Sequence, residues 1–255
     1  MSRRWKLVLG VVVLVSVAGC SSMNPLSSGP EYPDGYDDSG ITDPQTAASD
    51  HYGVLNDSDS FTMEITFGGL PNRTSVEMTS QFDLANEKGL STAAVKRDDS
   101  QVLAYEEYQN GSTLYEKAAL GIFGTQYNTS ERSFDRLVAN NTNTTDMKEW
   151  MESLNVTPTD TREIDGTTYR EFNVTSYDDS GEIMPQNLTG DVPDTTLKNG
   201  TMLVSPDGVI RSLRLQFSYD GGDQQAEFTY RISKVGNTSV SPPEWLEEAK
   251  SSAPN

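Results

Sequence analysis

Cys20 and His51 are the only thiol and the only imidazole in this 255-residue chain. Covalent or acid–base catalysis needs such a group beside a partner, and a structural metal site needs three or four ligands. Neither set can be assembled from these two residues, and no Gly-x-Ser-x-Gly elbow or His-Glu-x-x-His pair occurs. A lone Cys also excludes a disulfide framework. His51 recurs with Ala47, Ala48, Tyr52 and Leu55 at three- and four-residue spacing, which suits a hydrogen-bonded core histidine. The 38 acidic residues place carboxylates close together by number alone. Asp57-Ser58-Asp59 and Asp178-Asp179-Ser180-Gly181-Glu182 lack the ligand spacing of a calcium loop and read as turns. The expectation is therefore no enzymatic activity, no cofactor and no metal.

Apolar chemistry is what remains. Met147, Trp150, Met151 and Leu154 follow a helical period, and adaptable Met beside large Trp suits an irregular apolar ligand. Together with Phe217 and Phe228 they form the candidate lining of a ligand cavity. Ordinary packing of a helix on a sheet produces the same stripe, so both readings stand. Tyr105, Tyr108 and Tyr115 on neighbouring strands suit a cross-strand aromatic cluster.

These groups need elements to position them. Residues 1–19 carry Arg3, Arg4 and Lys6 ahead of the apolar run Leu7–Val17, the layout of an export signal too short for a comfortable bilayer span. Ser2-Arg3-Arg4-Trp5 looks like the start of a twin-arginine signal, although Lys6 replaces an apolar residue, so the export route stays open. Val17-Ala18-Gly19-Cys20 resembles the lipobox of prokaryotic lipoproteins. That resemblance implies a diacylglyceryl thioether on Cys20, cleavage before it, and a membrane-anchored, extracytoplasmic chain. Residues 20–40, rich in Ser, Pro, Gly, Asp and Tyr, read as a flexible tether reaching roughly 25 Å.

Nineteen basic against 38 acidic residues give a net charge of -19, which excludes a phosphate-binding face for nucleic acid. Loss of residues 1–19 leaves 16 against 38, or -22. Such a balance suits multimolar salt, where screening acts over about 3 Å; calcium binding or plain solubility gives the same balance. Eleven sequons, at Asn56, Asn72, Asn110, Asn128, Asn140, Asn143, Asn155, Asn173, Asn187, Asn199 and Asn237, point to an exported and glycosylated surface.

From residue 41 a single α+β domain is expected. Pro44 follows Asp43 as a helix start. The period then switches to two in Phe61–Phe67 and Val76–Leu84, with further strands near Ser91–Lys96, Gln101–Tyr108 and Ser112–Lys117. Asn110-Gly111 reads as a type I′ hairpin. Phe134–Val138 and Met147–Leu154 fit two short helices, the second with an Asp146/Glu149 capping box. Strands resume at Thr159–Ile164, turn at Asp165-Gly166 into Thr167–Ser176, and continue through Gly200–Ser205, Val209–Tyr219 and Ala226–Ile232. Gly181–Asp194 reads as a loop, and Pro242–Leu246 as a short helix sealing an end of the sheet. The sum is a curved antiparallel half-barrel of nine or ten strands, with the first helix and a central helical insertion on its concave face.

The lipobox, the tether, Gly40-Ile41-Thr42-Asp43-Pro44, His51-Tyr52-Gly53-Val54-Leu55 and Pro242-Pro243-Glu244-Trp245-Leu246 together resemble an uncharacterised family of surface lipoproteins of halophilic archaea. In layout the chain is also similar to the LolA, LolB and LppX/LprG carrier fold, in which a half-barrel wraps apolar helices. That resemblance implies a lipid or isoprenoid ligand on the concave face. A structural or adhesive envelope protein with a filled core is the competing expectation.

Overall fold

Helix α1 (Pro44–Asp57) begins where local chemistry places it. The Asp43 side chain accepts from the Thr46 amide at 3.0 Å and from its hydroxyl at 2.8 Å, and Pro44 occupies the first turn, where its missing N–H costs nothing. Ala47, Ala48, His51, Tyr52 and Leu55 are all buried on one face. The computed structural model describes residues 31–98, 100–178 and 195–252.

Two short strands, β1 (Tyr36–Asp37) and β2 (Gly40–Ile41), pair ahead of α1. They fall in the stretch read as tether, yet Tyr36 is buried 5.4 Å from the Phe172 ring. The packed body therefore starts before residue 40; an aromatic side chain with a core partner overrides the Gly/Asp-rich composition.

Eleven further strands form one open, curved antiparallel sheet. The first meander is β3 (Ser60–Leu70), β4 (Thr74–Asp83), β5 (Lys88–Arg97), β6 (Ser100–Asn110), β7 (Thr113–Ala119) and β8 (Thr125–Glu131). Helices α2 (Phe134–Asn141) and α3 (Thr144–Ser153) then lead to the second, β9 (Leu154–Ile164), β10 (Thr167–Tyr177), β11 (Thr196–Val204), β12 (Ile210–Tyr219) and β13 (Gln224–Ser233). β13 docks antiparallel against β3, so the order is β8-β7-β6-β5-β4-β3-β13-β12-β11-β10-β9. One strand and one boundary differ from the sequence reading. β8 was not expected, because Thr125–Glu131 has one large apolar residue, Tyr127, and owes its strand form to the ladder with β7. Leu154 closes α3 and opens β9, opposite Tyr177, rather than extending the helix.

Turn and cap chemistry also needs correction. Asn110 pairs with Thr113, leaving Gly111-Ser112 as the loop, with positive φ at Gly111 only, which fits a type II′ turn. Asp165 and Gly166 both have positive φ, the type I′ signature. Asn143, not Asp146, caps α3: its side chain accepts from the Thr145 amide at 3.0 Å and donates to Asp146 at 2.9 Å.

Partners in the ladder share a face. On one side of the sheet, the helix side, lie Phe61, Met63, Ile65 and Phe67 with Phe82, Ser80, Met78 and Val76 opposite them. α1 and α3 cover this side over β3 and β13, and α2 sits on β5. Gly89 makes that seat possible, since a Cβ there would stand 2.5 Å from Leu137 Cδ2. On the far side, the segment after β13 passes over β3, where Thr62 and Thr238 hydroxyls bond at 2.8 Å. It ends in α4 (Leu246–Ser252). Trp245, Leu246 and Ala249 pack with Tyr108, Tyr115 and Tyr127, and Trp245 Nε1 donates to Glu106 at 2.8 Å. The helix expected at Pro242–Leu246 is instead a turn, because Pro242 and Pro243 withhold their amides, and the helix follows it from Leu246 on the β6–β8 end, opposite to α1–α3.

Candidate functional site

Two cross-strand rows build the site on the helix side. One runs Tyr230, Ile65, Met78, Ala93, Tyr105, Ala118 from β13 to β7; the other runs Phe228, Phe67, Val76, Val95, Leu103 from β13 to β6. Six strands at about 4.8 Å spacing make the longer row roughly 24 Å. Helices cover only one end. Phe228 and Tyr230 are at most 1% exposed, whereas Leu103 at the other end is 38% exposed. The next row is polar on the same wing: Ser91, Glu107, Glu116 and Asn128. An apolar strip therefore emerges from beneath the helices, bordered by carboxylates and amides.

At the point of emergence lies a cleft of about 170 Å³ between the α2–α3 connection and β3/β4. Its apolar wall is Met63, Ile65, Met78, Met147 and Trp150; Tyr52, Asn140, Asn141, Asn143 and Asp146 supply polar groups. Helical spacing puts Met147 and Trp150 here, and Trp150 stands edge-on to Phe228 at 5.6 Å and to Tyr230 at 5.9 Å. The other four residues proposed as lining, Met151, Leu154, Phe217 and Phe228, are buried in the packed core, none more than 6% exposed. None of the four lines the cleft. Ile65, Met78 and Tyr230 line the cleft without having been singled out in the sequence, because alternation marks a strand face but not which strands lie at a helix edge.

A polar chain runs behind the cleft. His51 Nδ1 accepts from the Ile210 amide at 3.1 Å, so Nε2 carries the proton and donates to the Tyr230 hydroxyl at 2.8 Å. Tyr230 in turn donates to Tyr52, which reaches the cleft. Burial alone drives the His51 pKa down to about 3, so the ring is neutral. Burial also raises both tyrosines, with the Asp146 charge adding to the effect at Tyr52. Both ring nitrogens are committed to structural bonds and the side chain is 0% exposed, leaving no lone pair for a substrate.

The tyrosine cluster divides between the faces. Tyr108 and Tyr115 stack at 6.2 Å on the far side, while Tyr105 lies on the helix side, its single hydroxyl proton donated to Glu116 with a Glu107 carboxylate oxygen 3.0 Å away. Asp59 takes a turn role, its carbonyl accepting from the Leu84 and Ala85 amides. Asn56, Asn110, Asn128, Asn155, Asn173, Asn199 and Asn237 are exposed, as are Asn140 and Asn143 at the cleft mouth. Asn72 falls in the 3₁₀ turn Pro71–Arg73. Cys20, Asn187, the Gly181–Asp194 loop and the acidic run from Asp179 lie outside the described residues.

A family model described as a family of unknown function, DUF7537, matches residues 6–249. No curated protein sequence matches the chain. Among solved structures the chain is similar to the lipoprotein LppX of Mycobacterium tuberculosis, at 13% identity, covering 78% of this chain and 97% of that one, with a TM-score of 0.41. It is similar to LprF of Mycobacterium bovis at 16% identity, 78% and 96% coverage and a TM-score of 0.42. A LolA-superfamily protein from Nitrosomonas europaea gives 10% identity, 80% and 96% coverage and a TM-score of 0.24.

Proposed function

The chain belongs to the DUF7537 family, and we propose that it is an extracytoplasmic lipoprotein, anchored through Cys20, that holds a lipid or isoprenoid on the helix side of its sheet. The observation that carries this reading is the uncovered apolar strip running into the Trp150 cleft. Magnitudes decide how such a ligand sits. A dry cavity near 150 Å³ takes a molecule the size of benzene, and pockets for larger ligands run about 300–1,000 Å³. The cleft, at about 170 Å³, accepts one chain end, and the strip carries the rest. Each CH₂ removed from water contributes about 0.8 kcal/mol, so a long chain binds without a charged contact. The acidic mature surface, at -22, belongs with this reading as an adaptation to high salt, and the exposed sequons belong with a glycosylated surface.

Native mass spectrometry on the full chain purified from membranes in mild detergent tests the ligand. Co-purifying lipid is expected, and none would overturn it. Cys20→Ser is expected to abolish lipid labelling of the chain; unchanged labelling would overturn the anchor. The packing of Met151, Leu154, Phe217 and Phe228 into a filled core favours the second reading, a structural envelope lipoprotein. On that reading the strip stays bare in the same spectra.

A further inference from the structure

Five large apolar side chains are markedly exposed among the described residues, and four of them share one corner of the sheet. Ile122 (95% exposed) and Phe123 (79%) form the tip of the β7–β8 turn, and Val102 (41%) and Leu103 (38%) open β6 beside it. The two segments touch: a side chain built on Gly121 would lie 3.3 Å from the Val102 carbonyl. Gly121 and Gly124, at φ of +56° and +82°, turn the chain tightly on either side of the two side chains. Neither packs into a core cluster.

Charge singles out the same corner. Charged residues make up 22% of the chain, yet residues 118–130 and 100–105 contain none. Elsewhere a strongly acidic surface is repelled by an anionic bilayer and loses hydration on approach. The two segments themselves carry no charge, Lys96 and Arg97 lying beside them on β5, and exposed Ile and Phe on a convex tip are suited to entering the boundary between headgroups and acyl chains.

We propose that the Ile122–Phe123 tip is a membrane-docking wedge that seats the domain on the bilayer carrying its anchor. The occupant is a lipid surface rather than a protein, because the feature is a protruding tip and not a groove, and because the lipobox at Cys20 places the chain at a membrane. Leu103 is also the outer end of the strip row Phe228–Leu103. Docking at this corner therefore turns the open end of the strip toward the bilayer, giving an apolar ligand a path that avoids water. This inference rests on the membrane location proposed above, but not on the presence of a ligand.

The single Cys makes the test direct. In the full chain, Cys20→Ser with Phe123→Cys leaves one thiol at the tip for an environment-sensitive fluorophore; Cys20→Ser with Thr167→Cys places it at the opposite end of the strands. Both are mixed with phosphatidylcholine vesicles containing brominated acyl chains. A blue shift and bromine quenching at position 123, absent at position 167, are expected. Equal response at both positions, or an aqueous spectrum at 123, would overturn the wedge. A concentration-dependent blue shift without vesicles would also overturn it, in favour of self-association. Lipid in the native mass spectra with an aqueous position 123 sinks the wedge alone, whereas an inserted tip with no bound lipid sinks the carrier reading alone.

Discussion

The two halves of the helix side follow the same alternating pattern but end in different states. Over β12, β13 and β3, Leu215, Phe228 and Phe61 are 0% exposed beneath α1 and α3; over β5–β7 the corresponding positions are only partly covered, Ala93, Val95, Tyr105 and Ala118 being half-buried and Leu103 exposed. Residue size follows coverage. Large aromatics occupy the covered half, where each buried ring contributes most, and the open half keeps smaller side chains around one tyrosine. An apolar face therefore does not by itself create a core. The helices do, and they extend across only part of an eleven-stranded sheet.

Truncations should separate the halves most sharply. Phe228→Ala removes a ring in contact with Phe67 and Trp150 and is expected to cost about 3–5 kcal/mol in chemical denaturation, while Leu103→Ala should stay within about 0.5 kcal/mol. Equal losses would show that the strip is core after all. Next in size is Gly89→Val, which forces α2 off β5 and is expected to cost about 1–3 kcal/mol by the same measurement. An unchanged midpoint would show that α2 rides loosely on the open half.

The covered half should also be the acid-sensitive one. The His51 pKa is lowered to about 3 in the fold, against 6.5 for a free ring, so the unfolded chain binds this proton first as pH falls. The His51 contribution to stability is full above pH 6.5 and declines from there toward pH 3, with a slope of up to about 1.4 kcal/mol per pH unit. His51→Gln should flatten that dependence in denaturation curves collected between pH 7 and 5. A small effect is also expected at the surface pair Arg214–Glu227, 2.6 Å apart on the far side. Arg214→Ala there should change stability by less than about 1 kcal/mol, less still in high salt.

Local signals were the legible ones. Asp43-Pro44 and the spacing of Ala47, His51 and Leu55 marked α1 because a cap and a helical period act within a few residues. Met147 and Trp150 reached the cleft for the same reason. β8 escaped notice because an edge strand with one apolar residue is held by its neighbour's ladder rather than by its own pattern. Leu154 was misread because it is four residues from Trp150, a spacing that a helix end shares with the strand that follows it.

Composition and short-range pattern alone determined the acidic net charge, the lone Cys within a lipobox-like sequence and the α+β class. Which apolar residues became core and which became an open strip was decided only in three dimensions. That choice turns on the pairing of β13 with β3, strands more than 150 residues apart in sequence, and on three short helices too few to cover the sheet they rest on. Neither long-range pairing nor the area left uncovered is encoded in any local stretch, because both depend on where separate elements meet.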